Sequence, residues 1–231
     1  MTRELTAAVA GFVLLLTSFV QGPEGPTVGE ATAADIRAFA VDNANGIRAG
    51  ALSGVIAFIA VVVFTAGLAQ IVRSRLPASM LAGLVAAGGI LIGAMLWLDA
   101  AARSLPVVLP ELIDTELAKI DDTTLVAWYG LSGYTHYLGD LVMAPVVLAM
   151  GSFGLASLQA RIVPRWLTWL ALAASAAGVL GVVGIATGVD WLYAFWFGGL
   201  IGWALFILLV SGTFVLRWIR ARRGRPVPAT A

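Results

Sequence analysis

His136 and Asp140 are the residues of this chain whose types and spacing could carry chemistry. Four positions apart, they share one face of any continuous helix. Tyr134 and Tyr137 flank them, and Trp128 and Tyr129 lie just upstream. An imidazole beside a carboxylate can relay protons or serve as acid and base toward a substrate. The structural alternative is a hydrogen-bonded pair at a membrane surface, and the surroundings favour it. Asp99 and Arg103 repeat the same spacing, which on a helix makes an intrahelical ion pair, here expected at a helix end. The chain holds one histidine and no cysteine. A multi-histidine metal site within one chain, a thiolate site, a disulfide and a cysteine nucleophile are therefore excluded. There is no phosphate-cradling glycine loop, no dinucleotide fingerprint, no His-Glu-x-x-His and no Gly-x-Ser-x-Gly. No metal and no cofactor are expected, and the balance is against an enzyme.

The elements that must hold these residues are read from composition. The 231 residues are 60% hydrophobic and 12% charged, with a mean hydropathy of +0.95. A soluble domain carries about a quarter charged residues. So few charges suit a surface covered by lipid. A helix needs roughly 20 apolar residues to cross a bilayer core. Six segments qualify: about 5–21, 49–72, 78–98, 141–160, 166–186 and 191–216. The expected fold is all-α, a polytopic bundle of six transmembrane helices forming one domain over 1–216, followed by a basic tail at 217–231. The first segment could be read as a signal peptide, but Glu4 and the lack of a small-x-small site favour a retained anchor.

The arginines orient the bundle. Arg3, Arg73, Arg75, Arg161, Arg165, Arg217, Arg220, Arg222, Arg223 and Arg225 fall at the termini or on alternate connections. The other connections carry nearly all the acids. The positive-inside rule then places both termini in the cytoplasm of a plasma-membrane protein. The tail arginines Arg217, Arg220, Arg222, Arg223 and Arg225 are also candidates for contact with anionic lipid headgroups. Trp97, Trp128, Trp166, Trp191 and Trp218 sit near span ends, as interfacial indoles do.

The outer connections are long. The first opens with Gly22-Pro23-Glu24-Gly25-Pro26, an irregular stretch. Thr32 and Asp35 then make a capping-box-like start for a short helix from Ala33 to about Ala44, ending at Asn45-Gly46. Asp42, Asn43, Asn45 and Arg48 cluster at the start of the second span. In the second outer connection, Leu109, Leu112, Ile113, Leu117 and Ile120 share one helical face. An amphipathic surface helix is expected there, packed as a cover rather than acting as a lid. Thr124 to Ala160 is too long for one crossing, so 124–138 should lie at or above the outer interface. Asp140, about 31 Å along a helix from Arg161, then lies at the outer boundary and not at the midplane. Pro145 removes a helix donor and should free the carbonyl of Leu141.

Small residues mark packing seams: Gly89 with Gly93, Gly184 with Gly188, Gly198 with Gly202, and Gly178, Gly181 and Gly184 at intervals of three. Gly67-Leu68-Ala69 with Pro77 recurs as Gly154-Leu155-Ala156 with Pro164, a weak hint of two related hairpins.

Three stretches carry a resemblance: Ala33-Ala34-Asp35-Ile36-Arg37-Ala38-Phe39, Arg73-Ser74-Arg75-Leu76, and Val163-Pro164-Arg165-Trp166-Leu167-Thr168-Trp169-Leu170. The layout is similar to a group of bacterial six-span membrane proteins, common in actinobacteria, that carries a domain of unknown function (4386-like). That group often reads Pro-Arg-Trp-Leu-Gly-Trp-Leu where this chain has Thr168 in place of the glycine. The resemblance implies a six-span fold and brings no activity or site residue. The leading functional expectation is a non-enzymatic bundle that binds a lipid, a protein partner or second copy, or a small apolar molecule. The alternative is a small-solute or proton-coupled transporter with an outer polar site around His136 and Asp140. A membrane enzyme using that pair as acid and base ranks last. Nothing points to nucleic acid.

Overall fold

The computed structural model describes residues 2–20 and 22–223, with only the backbone described at 2 and 136–139. Among the described residues the regular structure is entirely helical. The α-helices are α1 (Thr2–Thr17), α2 (Ala33–Asp42), α3 (Ala44–Arg75), α4 (Leu81–Leu112), α5 (Asp122–Asp140), α6 (Met143–Ala160), α7 (Arg165–Thr187) and α8 (Asp190–Arg223). Five of them, α3, α4, α6, α7 and α8, are long and apolar enough to cross a membrane. The protein is membrane-embedded on that ground. α1 has 16 residues, about 24 Å of helix, and is the shortest of the six expected spans.

Several expected boundaries move. α4 does not stop near Leu98 but continues to Leu112 through Pro106 and Pro110. The amphipathic helix expected from Leu109 to Ile120 is not one element. Its first residues end α4, Asp114 takes φ 50° and breaks the chain direction, and a single 3₁₀ turn follows at Leu117–Lys119. α2 stops at Asp42, capped by Asn43, so Asn45 and Gly46 begin α3 rather than end α2. The long stretch after Thr124 is split at Leu141-Val142 into α5 and α6. Pro145 therefore lies in the first turn of α6, where backbone N–H groups lack intrahelical acceptors anyway. It loosens nothing.

The chain forms two compact units. The first is drawn from Met1–Leu15, Ala60–Ile90 and Met143–Ala231. Its centre is aromatic: Phe64, Phe153, Phe206 and Phe214 are wholly buried, with Phe153 and Phe206 edge to face at 5.5 Å. Since lipid tails are as apolar as the helices, close backbone approach must hold them together. A methyl group added at Gly181 would sit 2.6 Å from the Cα of Trp196 in α8, and one at Gly199 would sit 2.9 Å from the Cα of Gly178 in α7. These glycines are the α7–α8 seam. Gly188 is not part of it. It takes φ 67°, ends α7 in the left-handed region, and donates its N–H to the carbonyl of Gly184. Small residues also seat α1, where Ala7 meets Gly67 of α3, and Gly11 meets Phe64 and Ile207.

The second unit is drawn from Leu16–Ile59 and Leu91–Val142. It holds both long connections, and they pack on each other. Ala33 and Ile36 of α2 join Ile120, Leu125 and Tyr129 in one buried cluster. Ala40, Ile47 and Val107 form another.

Candidate functional site

Two polar places are built from these elements, one in each unit. The first surrounds α2 and α5. The Thr32 side chain accepts from the N–H of Asp35 at 3.2 Å, and the Asp35 carboxylate accepts from the N–H of Thr32 at 3.0 Å and from its hydroxyl at 2.6 Å. This reciprocal cap starts α2 as the sequence implies, and the same bonds hold the Asp35 carboxyl below the usual carboxylate range. On the next turn, Arg37 reaches the other connection. It donates to the carbonyl of Ile120 at 2.6 Å and pairs with Asp122 at 2.8 Å. Its Nε is buried without a partner among the described residues. Arg48, from the polar cluster at the start of α3, pairs with Glu111. Tyr129 donates its hydroxyl to the carbonyl of Pro26 at 2.6 Å. Burial raises its pKa, partly opposed by Arg103.

The sequence-derived candidates fall beside this network. Asp99 and Arg103 form the i,i+4 ion pair at 3.0 Å. Because α4 runs on to Leu112, they sit within the helix and not at its end. His136, Tyr137 and Asp140 all lie on α5, which is continuous to Asp140, but the side chains of His136 and Tyr137 lie outside the described residues. Tyr134 is largely exposed. Asp140 is half-buried and already engaged in an interaction. Arg103 lies close enough to α5 to act electrostatically on Tyr129.

The second place is the turn between α6 and α7, where the sequence shows only two arginines and a proline. Arg161 follows the end of α6 at φ 50°, closing the helix with its N–H on the carbonyl of Ser157 at 2.9 Å. Helices that end this way favour glycine there, because a Cβ is crowded in the left-handed region. Pro164 then precedes α7, whose first turn has no side-chain cap. Ser157, Arg161, Arg165, Thr168 and Trp169 help to line a cavity of about 270 Å³. The Ser157 Oγ is buried without a hydrogen-bond partner among the described residues. Thr168 donates to the carbonyl of Pro164 at 3.4 Å, a long bond. Among the described residues, neither Arg161 nor Arg165 forms an ion pair. No acidic side chain lines the cavity.

The basic end of α8 is partly engaged. Arg217 lies 3.9 Å from Glu4 of α1, and Arg222 lies 4.0 Å above the ring of Trp218. Arg220 and Arg223 occupy its last turn, and Arg225 lies outside the described residues.

Compared with protein-family models, with curated proteins and with solved structures, the chain finds no match.

Proposed function

We propose that this is a six-span plasma-membrane protein, with α1, α3, α4, α6, α7 and α8 as its spans and both termini in the cytoplasm. It acts as a non-enzymatic bundle that binds lipid, a partner protein or a small apolar molecule. The pairing of Glu4 with Arg217 carries the topology. It draws the first turn of α1 and the end of α8 to the same side, which requires an even number of crossings. Five long spans make an odd number, and α1 supplies the sixth. Ala7 and Ala8 of α1 are wholly buried, as befits a helix retained in a bundle. Exposed Val179, Leu180 and Val183 on α7, and Ile201, Leu205 and Leu208 on α8, give lipid-facing stripes that water would penalise. The α2–α5 network spends its hydrogen bonds on the fold, which favours a structural role there.

The absence of cysteine makes the test direct. Glu116→Cys lies in the second long connection and Ala78→Cys in the turn between α3 and α4, both at exposed positions. A membrane-impermeant maleimide added to intact cells should label Glu116→Cys at once and Ala78→Cys only after permeabilisation. The reverse pattern would refute the orientation, and labelling of both in intact cells would refute a crossing by α4 and with it the six-span count.

A further inference from the structure

We infer that the α6–α7 turn binds a phosphate group, either as the headgroup of an anionic phospholipid or as a free phosphate. The inference deepens the membrane reading above and rests on it for the lipid source alone. Four observations converge within one unit. The cavity of about 270 Å³ is bordered by Arg161 and Arg165, and no carboxylate lines it to neutralise them. Guanidinium groups recognise phosphate oxygens by paired, charge-assisted hydrogen bonds. The uncapped first turn of α7 adds partial positive charge from its N–H groups. Ser157, only 2% exposed, is part of the same lining, and its hydroxyl has no hydrogen-bond partner among the described residues. Buried hydroxyls are nearly always paired, and a phosphate oxygen in the cavity would accept from this one.

The fourth observation concerns Arg161. Its backbone occupies the left-handed region at φ 50°, where glycine costs less. The chain keeps a long cationic side chain at a position whose backbone asks for none. Nearby, Trp166 and Trp169 are both more than half exposed. Indoles settle at the headgroup level of a membrane, which matches a phosphate supplied by lipid.

The test uses the full chain in maltoside micelles free of phosphate. Native mass spectrometry would follow binding of dioleoylphosphatidic acid, with dioleoylglycerol as the uncharged control. Isothermal titration would follow inorganic phosphate. Arg161→Gly and Arg165→Gln should each weaken phosphatidic acid binding about tenfold, the scale of one charge-assisted contact. Ser157→Ala should weaken it a few-fold. Arg161→Gly should also leave the melting temperature unchanged or raised, so its loss of binding cannot be assigned to unfolding. Binding of phosphatidic acid but not dioleoylglycerol, with those losses, upholds the proposal with lipid as source. Binding of inorganic phosphate alone, with the same losses, upholds it with a soluble source. Binding of neither, or binding that the three substitutions leave unchanged, overturns it. Micelles impose no orientation, so this failure is separate from failure of the maleimide test.

Discussion

The α2–α5 contact and the α6–α7 turn are both polar, yet they differ in what their polar groups do. At the first, Arg37 and Tyr129 hold partners in the other long connection, and Asp35 and Thr32 hold each other. At the second, two guanidinium groups stand without an ion pair among the described residues, beside a buried hydroxyl with no acceptor. Residue types alone would rank them the other way round, since the first region holds the acids and the tyrosine. A polar group with satisfied bonds contributes to folding, whereas one left unsatisfied marks a place where a ligand can repay the cost of burial. Two further atoms sharpen the rule. Arg37 Nε and Ser211 Oγ are also unpartnered. Arg37 bonds through its other nitrogens, and Ser211 faces Gly11 of α1.

The strongest way to break this comparison is Arg37→Ala. The side chain joins the two long connections through a carbonyl and a carboxylate, and it is 27% exposed. Hydrogen bonds to charged groups contribute about 2 kcal/mol, discounted little at this burial because the bond to Ile120 is partly enclosed. Hydrogen exchange should show amides of α2 and of 120–126 opening roughly 30-fold more often, the equivalent of that loss. Amides of α6 and α7 should keep their protection. Equal acceleration in both places would mean that Arg37 supports the whole molecule, and the contrast between a structural and a ligand-ready region would fail.

Tyr129→Phe is a smaller and cleaner cut. The ring stays in the cluster with Ile36 and Leu125, while the bond to the Pro26 carbonyl is lost. Removing one such bond costs about 1 kcal/mol. Limited proteolysis within 22–31 should speed up about fivefold, with the melting temperature nearly unmoved. Unchanged cleavage would show that this stretch is held by packing, such as Val28 against Gly133, and not by the hydroxyl.

Much of the fold was legible because it follows from two simple constraints. Apolar length gave the five long helices, and Thr32 with Asp35 gave the start of α2. What sequence missed was continuity and capping. Apolar length ends the third span near Leu98, yet α4 runs on to Leu112 through Pro106 and Pro110. The apolar pattern from Leu109 to Ile120 reads as one helix, but the chain turns at Asp114. Gly184 and Gly188 have the spacing of a seam, but only Gly184 packs, since spacing does not reveal which glycine will end a helix. The candidate site was the least legible part. His136 and Asp140 attract attention by type, whereas the α6–α7 turn displays nothing beyond Arg161, Pro164 and Arg165. Its signals are a positive φ and an unpartnered Ser157, and both exist only in three dimensions.

Acid should separate the two regions most gently. The Thr32 hydroxyl and N–H hold the Asp35 carboxyl below its ordinary range, and the Thr124 side chain and N–H do the same for Asp121. A carboxyl depressed in the folded state binds its proton more readily when unfolded. The stability it contributes is therefore complete above the unfolded Asp value of about 3.9 and is lost as pH falls through the lower folded value. Both groups are fully exposed, so the effect is small. Both also stand at helix starts, where Asp121 accepts from the N–H of Thr124 at 2.9 Å. As pH drops below about 4, the first turns of α2 and α5 should lose amide protection before any other part of the second unit, and Asp35→Asn with Asp121→Asn should flatten that dependence. The α6–α7 cavity has no carboxylate in its lining, so its amides should not respond in this window. A matching loss there would show that protonation loosens the whole protein, and the two regions would no longer differ in the way their hydrogen bonds imply.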